Sequence, residues 1–135
     1  MFAAVKGSTL LYPAGPSLHL MILLTDPVGP PGYILTVTVC TVGHARHDPT
    51  CILIPGDHPF ITHESFVYYR DLREDIPAQR LIDGVKKGEF TGKEPMKSNV
   101  LERVLAGVKT SPFAAPFAKK FLENAAHPPI RGGHY

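Results

Sequence analysis

The fold of this chain is decided at residues 33 to 42, where the sequence runs Tyr-Ile-Leu-Thr-Val-Thr-Val-Cys-Thr-Val. β-Branched residues dominate the stretch, and such residues pack well on the pleated surface of a sheet. Turn signals lie on both sides, with Gly-Pro-Pro-Gly at residues 29–32 before it and a polar loop from Gly43 after it. The stretch therefore predicts the clearest β-strand of the molecule.

Shorter strands are predicted around it, each bounded by proline, glycine or aspartate, and they cover residues 9–12, 19–25, 50–54 and 65–70. Beyond residue 76 the apolar spacing becomes helical, which predicts helices at 77–87 and 99–108. A third helix is expected to begin near Ser111, with Pro116 able to shift its start. Strands followed by helices predict an α+β fold, here a small curved antiparallel β-barrel with two or three C-terminal helices. We expect one domain over residues 1–125 and a flexible tail at 126–135.

The composition excludes several classes of protein. The 14 prolines disfavour long uninterrupted helices, and the two cysteines cannot form a disulfide-dense secreted scaffold. The longest apolar run, at residues 20–24, is far too short to span a membrane. The net charge of +2 does not by itself indicate nucleic-acid binding. We therefore expect a cytoplasmic protein with reduced thiols and no membrane partner.

Cysteine and histidine residues bracket the polar loop after the central strand, at Cys40, His44, His47 and Cys51. Zinc prefers four Cys or His ligands, so a hairpin here could hold the ion, although the spacing matches no standard zinc finger. The alternative is that both cysteines are small core residues and both histidines are exposed. We adopt this second interpretation and predict no metal and no cofactor.

A second polar cluster follows at residues 57–65, Asp-His-Pro-Phe-Ile-Thr-His-Glu-Ser. Metal-free RNA cleavage needs one group that takes the proton of the 2′-hydroxyl and another that stabilises the charge on the phosphorane. We predict His58 with Ser65 as catalytic residues, helped by the positive charge of Arg70, and His19 joins them if it faces His58. In the competing structural interpretation, His58 and Ser65 close turns by hydrogen bonds and His19 bonds to the backbone at the edge of the core.

Candidate RNA contacts lie further along the chain. Tyr68 and Tyr69 point to opposite faces of a strand, so an exposed Tyr69 could stack on a base. Arg73, Lys86 and Lys87 could contact phosphates. The competing interpretations are a cross-strand aromatic residue and an ordinary solvated helix face.

The order of these features resembles that of the PemK/MazF-type growth-inhibitor toxins. The resemblance rests on the strands at 19–25, 34–42 and 50–56 and on the layout from Ser65 to Gly84, and it covers roughly residues 8–108. It implies an SH3-like barrel, often dimeric, that acts as a metal-independent endoribonuclease and is neutralised by an antitoxin. The Arg-Pro pair of that family is replaced here by Pro-Ser-Leu-His at residues 16–19, so catalysis would have to use the residues named above.

We therefore expect a toxin-like endoribonuclease with RNA and an antitoxin protein as partners and a homodimer as its assembly. The alternative is a non-catalytic SH3-like protein-interaction module. Its peptide groove would use exposed aromatic residues, from Tyr33, Phe66, Tyr68 and Tyr69.

Overall fold

A computed structural model describes residues 2–43 and 46–127 of the chain. Within them the chain forms six strands, β1 (Thr9–Ala14), β2 (Ser17–Leu23), β3 (Tyr33–Thr41), β4 (Ile52–Leu53), β5 (Ser65–Pro77) and β6 (Thr91–Lys93). It also forms three helices, α1 (Ala78–Lys86), α2 (Ser98–Thr110) and α3 (Pro116–Ala126). The α+β class predicted from the sequence is confirmed.

The strands make one curled antiparallel sheet in the spatial order β4-β5-β3-β2-β1-β6. The predicted central strand, β3, lies in the interior of the sheet between β5 and β2. All of its residues from Ile34 to Cys40 are buried. Burial on both faces explains why apolar and β-branched residues fill both of its alternating sets.

Alternation along the strands divides the sheet into two faces with separate cores. Leu20 and Ile22 of β2 belong to the larger core, which packs against α2 and α3. Met21 and Leu23 point to the other face and join a smaller core with Leu81 of α1. Because α1 covers only part of this second face, the remainder is free to carry polar side chains.

Tyr69 packs β5 tightly against α2. The residue is 1% exposed, and its hydroxyl donates a hydrogen bond to the carbonyl of Val104 at 2.6 Å. Its ring lies against Gly107, where a β-carbon would overlap the phenol. Burial raises the pKa of Tyr69, so the hydroxyl remains a donor. Gly107 is therefore what allows α2 to approach the sheet this closely.

Several predicted elements are found, and others differ in extent. β1 and β3 lie close to the predicted positions, β2 begins and ends two residues before its predicted bounds of 19–25, and the first two predicted helices are present as α1 and α2. β5 runs to Pro77, past its predicted end at Arg70. The prediction stopped early because the second half of the strand is charged, mostly exposed and without apolar alternation. β6 is short and lacks apolar residues, and α3 begins at Pro116, where proline fits the first helical turn.

No helix within residues 2–43 and 46–127 has both the length and the apolar character that a membrane crossing requires. Helix α3 includes Ala126, the first residue of the predicted tail. Residues 128–135 of that tail and His44 of the predicted loop lie outside the described residues.

Candidate functional site

A cavity of about 440 Å³ opens at one end of the sheet. Its walls come from the first residues of β2, the last residues of β3 and the segment 59–63 that leads into β5. His19, His63 and Ser65 line it, together with Cys40 and Thr41. The cavity thus brings together two of the predicted catalytic residues, His19 and Ser65, and adds His63.

The cavity exists because β2 and β3 separate at this end of the sheet. The ladder between them begins with Leu20 opposite Val39, so residues 17–19 of β2 extend beyond it. In the same region β3 stays paired with β5, where Thr41 lies opposite Ser65. The gap between β2 and the β3–β5 pair is the space that segment 59–63 borders from a third side.

His19 is half-buried at this gap. Tyr12 lies opposite it in the β1–β2 ladder, and the two ring centroids are 6.0 Å apart. The cross-strand aromatic contact restricts the imidazole orientation while leaving part of the ring open to the cavity. His19 therefore combines a fixed position with access to a ligand.

His63 and Ser65 form the opposite side of the cavity. The hydroxyl of Ser65 is buried and donates to the carbonyl of His63 at 2.9 Å, which ties the segment before β5 to the start of that strand. The His63 residue itself is exposed. Ser65 therefore positions the loop, and His63 is the residue of this pair that is free to react.

Apolar side chains complete the walls. Leu18 is 55% exposed and Phe60 is 36% exposed, and both line the cavity.

Burial, with a smaller effect from the Asp71 carboxylate, raises the pKa of the Cys40 thiol, which also lines the cavity. Because the thiolate is the nucleophilic form, this protonated thiol is poorly suited to covalent catalysis.

His58, the first predicted catalytic residue, lines a different hollow, of about 250 Å³, on the side of Glu94 and Lys97. Its side chain is 2% exposed. The backbone N–H of Phe60 donates to Nδ1 at 3.1 Å, so Nε2 carries the proton and donates to the carbonyl of Glu94 at 2.6 Å. The Thr9 hydroxyl lies 3.2 Å from the same nitrogen. A catalytic role for His58 stays a prediction, and these contacts favour the structural interpretation instead.

Arg70 does not reach the cavity. Its guanidinium lies 3.4 Å from the centroid of the Phe113 ring, and it donates to the carbonyl of Arg46. This position, near the connection between α2 and α3, separates it from His19 and Ser65. The expected stabilising charge is therefore absent among the residues that line the cavity, where the two histidines are the side chains able to become cationic.

The predicted RNA contacts are found in different places. Tyr69 is buried under α2, which corrects the expectation that its ring is free to stack, whereas Tyr68 is half-buried on the other face. Arg73 is exposed in β5 and pairs with Asp75 at 3.0 Å. Lys86 and Lys87 are exposed at the end of α1 and do not line the 440 Å³ cavity.

The cysteines of the possible zinc site do not lie on adjacent strands. Cys40 is in β3 and Cys51 precedes β4, and β5 lies between these two strands. Both thiols are free and buried. Within residues 2–43 and 46–127, which leave out His44, no three His, Cys, Asp or Glu side chains are grouped so that they could hold a metal ion.

The arrangement at the cavity suits proton transfer. Two imidazoles on different walls can act as base and acid on the same bound molecule. The predicted catalytic residues include His58 and not His63, although the two belong to one polar cluster. The competing interpretation of the sequence, in which His58 closes a turn by hydrogen bonds, is the one that its ring contacts favour.

Comparisons with protein-family models, with curated proteins and with solved structures give no significant match to this chain.

Proposed function

We propose that the protein is a toxin-like, metal-independent endoribonuclease whose active site is the 440 Å³ cavity. The observation that carries the proposal is the presence of His19 and His63 on different walls of one cavity. Histidine is the residue type best suited to accept and give protons near neutral pH. Two of them supply both proton transfers that cleavage of an RNA strand requires.

In this reaction one imidazole takes the proton of a ribose 2′-hydroxyl as its oxygen forms a bond to the adjacent phosphorus. The bond between phosphorus and the 5′-oxygen of the next nucleotide breaks, and the second imidazole, as imidazolium, gives that oxygen a proton. The products are a 2′,3′-cyclic phosphate and a free 5′-hydroxyl. The imidazolium also provides the positive charge that Arg70 was expected to contribute.

The proposal includes the fold family and the partners. We take the curled sheet to be an SH3-like barrel of the PemK/MazF type, which the order of strands and helices over residues 8–108 supports. An antitoxin protein as inhibitor, a homodimer and a cytoplasmic location belong to the same proposal. RNA is its substrate.

Expression in a bacterial host tests the proposal. The wild-type chain should arrest growth, and His19→Ala and His63→Ala should each relieve the arrest without loss of folded protein. His127→Ala is the matched control, because His127 is exposed after α3 and does not line the cavity. Normal growth while the folded wild-type chain accumulates would overturn the proposal.

A non-catalytic interaction module is the second candidate, and the exposure of Leu18 and Phe60 beside the cavity favours it. Of the aromatic residues expected to form its groove, Phe66 and Tyr69 are buried, whereas Tyr33 is exposed and Tyr68 half-buried. A module would instead hold an apolar side chain of a protein partner against Leu18 and Phe60. Intact RNA in the presence of purified protein, together with a bound partner that Leu18→Ser releases, would favour the module over the nuclease.

A further inference from the structure

A second cavity, of about 330 Å³, lies on the face of the sheet that α1 partly covers, next to that helix. Tyr12 lines it, and the ring of Tyr12 also contacts His19, which lines the first cavity. One side chain therefore connects the two cavities. Ile76, Leu81 and Phe90 contribute apolar walls, and a pocket of this size and lining accommodates a flat ring.

A chain of hydrogen bonds forms the polar side of this second cavity. The Tyr12 hydroxyl lies 2.7 Å from that of Thr38, which donates to Oδ2 of Asp71 at 3.1 Å. Because Thr38 gives its single proton to Asp71, Tyr12 must be the donor to Thr38. Among the described residues, Oδ1 of Asp71 receives no hydrogen bond, so this carboxylate can accept further donors.

An irregularity in the sheet determines where Asp71 lies. Thr36 of β3 pairs with Arg73 of β5, and Thr38 pairs with Tyr68. Two residues along β3 therefore correspond to five residues along β5, so β5 contains extra residues at this point. Asp71 belongs to these additional residues of β5. Bulges of this kind redirect side chains and are frequent beside functional sites. The insertion is thus what lets Asp71 reach both Thr38 and the cavity.

The charges around the cavity disfavour an anion as its ligand. Arg73 is paired with Asp75 at 3.0 Å, and Arg80 is paired with Glu89 at 2.6 Å. Both guanidinium groups are thereby neutralised in part, and Asp71 adds a further carboxylate. A flat, neutral ligand that presents N–H donors matches this combination better than a phosphate does.

We propose that this second cavity binds a guanine base of the RNA, from a nucleotide next to the cleaved bond, with Asp71 accepting hydrogen bonds from N1–H and from the 2-amino group. Guanine presents two adjacent N–H donors on one edge, whereas adenine, cytosine and uracil place an acceptor beside their donor. The inference rests on the proposed function: the nucleotide that is cleaved would occupy the first cavity, and Tyr12 lies between that cavity and the guanine site.

Single-stranded DNA tests the proposal, because it lacks the 2′-hydroxyl and is not cleaved by this chemistry. Thymidine oligonucleotides that carry one guanine, adenine or cytosine are titrated with the protein at one fixed salt concentration, and binding is followed by fluorescence anisotropy. The guanine strand should bind about tenfold more tightly than the others. Asp71→Asn should abolish this preference, since an amide offers one acceptor in place of two.

Asp83→Asn is the matched control, because Asp83 is a residue of α1 that pairs with Gln79 and does not line the cavity. It should keep the guanine preference. Equal binding of all strands, or a guanine preference that survives Asp71→Asn, would overturn the inference. If Asp71→Asn does not fold, competition on the wild-type chain decides: guanosine monophosphate should displace the strand and adenosine monophosphate should not, and equal displacement would overturn the inference.

These results separate the guanine site from the nuclease on which it is built. A protein that binds guanine selectively but leaves RNA intact would retain the base-binding cavity and reject the nuclease. A protein that cleaves RNA without any base preference would retain the nuclease and reject the guanine site.

Discussion

His58 and His19 carry the same side chain in opposite surroundings. We assign a stabilising role to His58 and a chemical role to His19. His58 is buried, and both of its ring nitrogens are used within the protein. His19 is half-buried at a cavity, and its ring contact is with Tyr12. A buried imidazole whose partners are backbone groups stabilises a loop, whereas an accessible one can exchange protons with a ligand.

We therefore expect His58→Ala to lower the free energy of unfolding by about 2 kcal/mol, because the Phe60 N–H loses its acceptor and the Glu94 carbonyl keeps only the Thr9 hydroxyl as a donor. His19→Ala should change it much less. Urea denaturation of both variants, followed by circular dichroism, measures the difference. Equal stability of His58→Ala and the wild type would contradict the structural role of this histidine.

Asp48 is a second buried residue whose contacts have a measurable consequence. It accepts hydrogen bonds from the N–H and hydroxyl of Thr50 and from the hydroxyl of Ser111. Burial alone would raise the pKa of Asp48, but these hydrogen bonds and the charge of Arg70 outweigh it and lower the pKa from its ordinary value. A carboxyl whose pKa is lower in the folded state adds stability above its unfolded pKa, and this stability is lost as the pH falls through the folded value.

The free energy of unfolding should therefore decrease as the pH falls below about 4, and Asp48→Asn should remove part of this decrease. The variant should also be less stable at neutral pH, since an amide cannot accept the same three hydrogen bonds. Denaturant titrations at neutral and acidic pH measure both effects, with the exposed Glu123→Gln as control. An unchanged pH dependence in Asp48→Asn would show that this carboxyl does not contribute.

At the level of elements, the contact between α2 and β5 depends on one small residue. Gly107→Ala should lower the free energy of unfolding by about 2 kcal/mol, because the added methyl group overlaps Tyr69 and forces α2 away from the sheet. Glu102→Ala, an exposed change in the same helix, should have little effect. Thermal denaturation of the two variants compares them, and a Gly107→Ala protein as stable as the wild type would mean that the ring can move aside.

The elements that could be predicted from the sequence are those with strong apolar periodicity. β3 is one example, because its buried residues are apolar or β-branched along the strand. α2 is another, because its buried residues recur at helical spacing. The second half of β5 could not be predicted, because Arg73, Glu74 and Asp75 are exposed and its pairing with β3 is irregular. The same irregular pairing places Asp71 at the 330 Å³ cavity. This candidate site could therefore not be predicted from the sequence either.

The candidate active site was predictable in part. Sequence analysis identified His19 and Ser65, which line one cavity, but not His63 as the residue that completes it. The choice between His58 and His63 depends on how a loop folds, and the N–H of Phe60 bonding to the His58 ring decides it. No apolar pattern in residues 57–65 encodes that turn.

At the level of the whole molecule, the second face of the sheet is divided between packing and function. α1 covers one part with the smaller core, and the 330 Å³ cavity lies beside that helix, whereas the 440 Å³ cavity lies at the end of the sheet. The proposed chemistry requires no metal, so cleavage should persist in an excess of EDTA. It also requires both His19, near the start of β2, and His63, in the segment that leads into β5.

The central claim is tested most directly by incubating the purified protein with single-stranded RNA in EDTA and analysing the ends of the products. The wild-type chain and His127→Ala should give fragments with 2′,3′-cyclic phosphate and 5′-hydroxyl ends. His19→Ala and His63→Ala, folded as judged by circular dichroism, should give none above the uncatalysed background. RNA that stays intact with the wild-type chain, or that is cleaved equally well by the two cavity variants, would contradict the account.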